Sequence, residues 1–161
     1  MYYFAYGSNM SSKRLEKRIN TVKVGNGKLM NYQLRFHKVS KDSTGKCDIF
    51  FTNNFDDYVY GVVFEINDND KQKLDCIEGR GNGYDSIIVD IVLDEKTIQA
   101  TSYVATNIDK TLEVFDWYKE HVLYGAIEND LESEYVEMIK SVPTIMDTDM
   151  DRRKKELSIY E

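Results

Sequence analysis

The chain has 161 residues and carries 21 Lys and Arg against 28 Asp and Glu, a net charge of −7 that argues against nonspecific contact with nucleic acid or anionic membrane. No apolar run approaches the ~20 residues that span a bilayer, and the N-terminus lacks the basic lead and long apolar region of a secretion signal. Cys47 and Cys76 have no metal or redox spacing and both sit among apolar residues, so two buried free thiols in a reducing cytosol, and a cytoplasmic protein, are expected.

Residues 2–6, YYFAY, are continuously apolar and aromatic and stop at a glycine, which predicts a short buried strand. Asn9, Ser11 and Ser12 are each competent caps for a short helix that puts Leu15 and Ile19 on one face. Strands are expected over 32–36, 49–52 and 58–66, with the polar stretch 38–46 as an exposed loop. Asp68 or Asn69 would cap a helix with Leu74 and Ile77 inward and Gly79 as its stop. The segment GRGNGY has a glycine density that no helix or central strand would choose. A hairpin over 87–93 and 97–104 turns at Asp94, Glu95 and Lys96. Leu112, Phe115, Tyr118 and Val122 form a helical stripe ended by Gly125; Leu131, Tyr135, Met138 and Val142 form another, stopped by Pro143. No repeat or linker interrupts the chain. It reads as one α+β domain over residues 1–145, followed by a charged tail, 146–161, that is either a solvated extension or a loosely docked helix.

Two polar, glycine-bearing corners stand out against this regular pattern. A loop such as Tyr6-Gly7-Ser8-Asn9, leading from a strand to a helix N-terminus, aims unpaired backbone N–H groups outward and suits a carboxylate or a developing oxyanion. The same corner could be a simple cap. The second corner, 79–83, follows Glu78, which falls in the last turn of a predicted helix. The helix end carries partial negative charge and disfavours the ionised form of a carboxylate there, a property that suits proton transfer near neutral pH. A solvated helix-end residue is the plainer reading. Tyr84 closes the glycine loop, whereas Tyr118, on an apolar stripe, reads first as core.

Other chemistries find no support. The chain has neither a phosphate-binding glycine motif nor a G-x-S-x-G elbow. His37, at a strand or loop edge, and His121, expected to be exposed on a charged helix, lack a second ligand at i+3 or i+4, so no metal is expected. Arg35, Lys38, Lys41 and Lys46 could attract an anionic substrate or simply solvate a loop.

Taken together, YFAYGSN at the first strand, LDCIEG, GNGY, the run Ser102-Tyr103-Val104-Ala105-Thr106-Asn107 and the run Gly125-Ala126-Ile127-Glu128-Asn129 resemble the gamma-glutamylcyclotransferase family. The resemblance covers residues 2 to about 143. It implies a small, twisted, mixed β-barrel-like sheet with surrounding helices. It also implies an activity without cofactor: cyclisation of a gamma-glutamyl group to 5-oxoproline with release of an amino acid or amine, as in glutathione metabolism. By that resemblance Glu78 is the catalytic general base and acid, and Tyr6, Gly7, Ser8, Asn9, Tyr84 and Tyr118 bind the substrate. The leaving group stays open, with loops 38–46 and 79–83 expected to face it. The alternative is a noncatalytic binding module for a small carboxylate-bearing ligand on the same fold. Related proteins are often homodimers, although no self-complementary patch is legible in the sequence.

Overall fold

The aromatic run after Met1 forms β1 (Tyr2–Ala5), a strand too short and too apolar to stand at an edge. In the computed structural model, which describes all residues from Met1 to Glu161, it is followed by β2 (Val22–Met30), β3 (Tyr32–Val39), β4 (Gly45–Phe51), β5 (Tyr58–Glu65), β6 (Tyr84–Leu93) and β7 (Lys96–Ala105). Five of these close a barrel in the order β1-β5-β2-β6-β7, which removes the exposed edges an open sheet would carry. β1 runs antiparallel to β5, from Tyr2 opposite Glu65 to Ala5 opposite Val62, and meets β7 in parallel at Tyr3 and Thr101. β3 and β4 form a separate two-stranded sheet. The helices are α1 (Ser12–Glu16), α2 (Asp68–Ile77), α3 (Asp116–Glu128), α4 (Ser133–Ser141) and α5 (Met150–Leu157). This mixed α+β barrel is the architecture the sequence leads one to expect.

The barrel is narrow, and its glycines show why. Gly27 on β2 lies opposite Gly61 on β5. A Cβ at Gly27 would stand 2.4 Å from Ile91 Cγ2, and one at Gly61 would stand 2.4 Å from the Ala5 carbonyl oxygen and 2.7 Å from the Phe4 ring. The glycine pair therefore makes the space that Phe4 and Ile91, both fully buried, occupy. These glycines, set among polar Lys and Asn residues, also hide β2 from a pattern search, and no strand is expected there from sequence.

Several expectations need correction. Only residues 40–44 of the stretch 38–46 form a loop, because β3 continues through Val39 and β4 begins at Gly45. Thr44 and Lys46 are buried, and Lys46 Nζ donates to both carboxylate oxygens of Asp42 at 3.0 and 2.9 Å. Asn67, rather than Asp68 or Asn69, caps α2, its side chain accepting from the Asp70 N–H at 2.8 Å. Leu74 is buried as expected, but Ile77 is exposed. α3 begins only at Asp116, since the backbone of 113–115 is taken up by bonds to Gly45 and Ile145. It does not stop at Gly125: a Cβ there would stand 2.5 Å from Met10 Cβ, so this glycine lets α3 cross the chain after β1 at close range. α4 spans nine residues, with Tyr135, Val136 and Ile139 inward and Met138 turned to the surface. Ser11 is the observed cap of α1, and Leu15 and Ile19 are buried.

Residues beyond 145 form α5 and a final 3-10 turn (Ser158–Tyr160) docked on α3 by polar contacts. Asp147, fully buried, accepts from Trp117 Nε1 at 2.8 Å and from Arg152 Nε and Nη2 at 2.6 Å each. Those donors, the Arg152 bond first, hold its carboxyl far below the usual carboxylate range. Arg153 pairs with Asp116 at 2.7 Å. His121, expected at the surface, is completely buried beneath this segment. Tyr160 donates to its Nδ1 at 2.8 Å, and its Nε2 lies 2.9 Å from Glu156, which also receives Arg14 at 2.7 Å. Burial lowers the basicity of the imidazole, so the neutral ring, with its proton on Nε2 toward Glu156, fits this network.

Candidate active site

The chain leaves β1 at Ala5, passes through Tyr6 and Gly7, and enters a 3-10 turn, Ser8–Met10, closed by the Met10 N–H on the Gly7 carbonyl at 2.9 Å. The N–H groups of Gly7, Ser8 and Asn9 precede the first hydrogen bond of that turn and have no acceptor in the chain. Gly7 is required by a close approach: a Cβ there would stand 2.9 Å from Cys47 Cβ and 3.7 Å from the Tyr118 hydroxyl.

α2 delivers the carboxylate. Glu78 is its C-cap, its N–H bonded to the Leu74 carbonyl at 2.8 Å. The chain then reverses through Gly79 at φ 65° and Gly81 at φ 87°, values in the left-handed region that glycine reaches without strain. Asn82 and Gly83 N–H groups both close on the Gly79 carbonyl at 2.8 Å, and Tyr84 opens β6 immediately afterwards. The glycine loop thus folds Tyr84 back beside Glu78.

Glu78, Tyr6, Gly7, Ser8, Asn9, Tyr84 and Tyr118 all line one small cavity of about 30 Å³. The loop, the helix end, the strand start and α3 therefore converge, which sequence spacing alone could not show. Tyr3, Cys47 and Tyr103 complete the lining and were not singled out from sequence. Arg18 was also missed; it reaches Glu78 Oε1 at 3.4 Å and Asn9 Oδ1 at 3.1 Å from just beyond α1. Asn9 Nδ2 donates to Glu78 Oε1 at 3.0 Å and to the Tyr3 hydroxyl at 2.9 Å. Tyr103 falls in the motif run 102–107 and Tyr3 in the first strand, while no local signal marks Cys47 or Arg18 as site residues.

The remaining groups are anchored and neutral. Tyr6 donates to the Tyr103 carbonyl and Tyr84 to the Cys47 carbonyl, each at 2.6 Å, while the Tyr118 oxygen accepts from the Cys47 N–H at 3.0 Å. Burial raises Tyr3, Tyr6, Tyr84 and Tyr118 well above the ordinary phenol range. It pushes the Cys47 thiol up to about 12. A protonated thiol is a poor nucleophile, so Cys47 packs rather than reacts. The exposed Cys76 departs from the expectation of two buried thiols. His37, buried on β3 against Asp48 at 2.8 Å, is part of the scaffold. The chain's His, Cys, Asp and Glu residues form no cluster of three suited to a metal.

Comparison with known proteins decides the family. A family model described as the AIG2-like family matches residues 58–139. Human gamma-glutamylcyclotransferase is 33% identical over 147 residues, covering 87% of this chain and 77% of the human one. The mouse protein of the same name is 31% identical over 148 residues, with the same coverage. The chain belongs to the gamma-glutamylcyclotransferase family. A solved structure of a gamma-glutamyl cyclotransferase, 30% identical, superposes with a TM-score of 0.83 and covers 96% of this chain and 98% of its own. For this gamma-glutamylcyclotransferase family member the match in fold covers nearly the whole chain.

Proposed function

We propose that the protein is an enzyme that cyclises a gamma-glutamyl group to 5-oxoproline and releases the attached amine, with Glu78 as the proton carrier. The observation that supports this most directly is the position of Glu78. It is the one carboxylate in a cavity of neutral phenols, hydrogen-bonded by Asn9 and facing a turn with three unpaired backbone N–H groups.

The substrate's own α-amine is the nucleophile, so the reaction asks for no nucleophilic side chain. Glu78 accepts a proton from the α-amino group as its nitrogen attacks the γ-carbonyl carbon. The carbonyl oxygen gains negative charge, and the Gly7–Asn9 N–H groups stabilise it, each such donor typically being worth about 3–4 kcal/mol. Collapse of the tetrahedral intermediate breaks the C–N bond to the leaving group, and Glu78 returns the proton to the departing nitrogen. The products are 5-oxoproline and a free amine, with atoms and charge balanced. Ring closure is intramolecular, so much of the acceleration comes from holding the bent conformer between Tyr84, Tyr118 and the turn.

The test is Glu78→Gln, which keeps the shape and removes the base. Release of 5-oxoproline from gamma-glutamyl dipeptides should fall at least ~10²-fold, the usual contribution of a positioned general base, with the melting temperature little changed. Turnover within a few-fold of the parent protein would refute the assignment. A protein that binds these compounds without turning them over would be the binding module of the alternative reading.

A further inference from the structure

The small cavity is not the whole of the concave surface around Glu78. On its outer side Glu78 also borders an open groove of about 710 Å³. Given the reaction proposed above, the γ-glutamyl part occupies the inner cavity and the leaving group extends into this groove, since Glu78 borders both spaces.

The groove has a marked charge. Lys38, Lys41 and Arg80 line it, on a molecule whose net charge is −7. Its acidic residues are Asp75 and Glu78, and both have cations of their own: Asp75 receives Lys71 at 2.5 Å as well as Arg80 at 3.3 Å, and Glu78 has Arg18. Asp75 also accepts from the Tyr103 hydroxyl at 2.8 Å. Lys38 differs from Lys46 and Lys71. Lys46 and Lys71 each hold a carboxylate within 3 Å, whereas the Lys38 ammonium rests 4.7 Å above the Tyr84 ring with no carboxylate in contact. Its backbone is fixed on both sides, paired with Lys46 across β4 and bridged to Ile108. It also lies close to Gly83, where a Cβ would stand 3.4 Å from Nζ. A half-buried cation with no carboxylate in contact, beside Tyr84 and Gly83 in the groove that Glu78 borders, is arranged for an anion that arrives with the ligand.

We infer that this groove is the leaving-group subsite and that it ranks leaving groups by their negative charge, with Lys38 as the anchoring, specificity-determining residue and Lys41 and Arg80 as outer contacts. An acidic amino acid or short acidic peptide is the preferred leaving group, a neutral amino acid comes next, and an uncharged amide or cationic amine is disfavoured. The inference rests on the cyclotransferase reading of Glu78.

The experiment measures kcat/KM for 5-oxoproline release from gamma-glutamyl-glutamate, gamma-glutamyl-alanine and gamma-glutamyl-alaninamide at low and moderate salt. The parent protein should prefer them in that order, by roughly fivefold to tenfold per step, narrowing as salt screens the outer contacts. Lys38→Gln should compress the spread toward unity, and Lys38→Arg should keep most of it. Equal rates for the dipeptide and its amide in the parent protein would overturn this inference alone. So would a uniform loss across all three substrates in Lys38→Gln. Silence of the parent protein toward every substrate would overturn the cyclotransferase reading and this inference together.

Discussion

Asn9 is where the two halves of the site meet, since its amide nitrogen holds Glu78 and Tyr3 while its carbonyl oxygen receives Arg18. That leaves the Tyr3 hydroxyl proton without a role in holding Asn9 and available to the cavity it lines. Replacing Asn9 by Asp would put a second carboxyl at hydrogen-bond distance from Glu78 Oε1, where two negative charges cannot both persist. One of the pair then keeps its proton to higher pH. The acid limb of the kcat/KM profile should therefore move toward higher pH by about one unit or more. An unshifted profile in Asn9→Asp would mean that Glu78 is not the group whose titration sets that limb.

The crossing of α3 over the turn after β1 has no slack. Gly125→Ala would place a methyl 2.5 Å from Met10 Cβ and 2.6 Å from the Ser11 nitrogen, the latter a backbone atom that cannot rotate away. Overpacking of this kind costs about 1–3 kcal/mol, and here the displaced turn is the one that presents Ser8 and Asn9. Thermal melting and kcat/KM should both fall, and a variant that loses stability with unchanged kcat/KM would separate the crossing from the site. In the sequence, Gly125 reads as a helix stop, because an isolated glycine near the end of an apolar stripe looks the same whether it terminates a helix or admits a neighbour. Gly27 misleads in a similar way: its lack of a side chain weakens the strand pattern of β2, while its partners, Ile91 and Phe4, lie far away in the chain. Local patterns did reveal β1, the β6–β7 hairpin with its positive-φ turn at Asp94 and Glu95, and the two glycine corners. Arg18 and Lys46 were illegible for a common reason. Each lies in a polar stretch that resembles solvated surface, and its burial is set by contacts distant in sequence.

At the scale of the molecule, the C-terminal segment turns charge into adhesion. Glu156 accepts from His121 and Arg14, and these bonds, His121 first, hold its carboxyl down at about 2 against the burial that opposes ionisation. A carboxyl depressed in the folded state contributes stability that is complete above its unfolded value of about 4.5 and is lost as pH falls from there through about 2. The melting temperature should fall across that window, and Glu156→Gln should lower it at neutral pH while making its decline on acidification shallower. An unchanged slope would place the acid sensitivity in other carboxylates. The contact that fastens the other end of the segment has an optical consequence. Trp117 is the chain's only tryptophan, its indole nitrogen bonds to Asp147, and the Arg152 guanidinium closes over the same carboxylate. The protein's long-wavelength fluorescence therefore originates at one seam, so detachment of the last helix can be followed by emission colour while circular dichroism reports on the barrel.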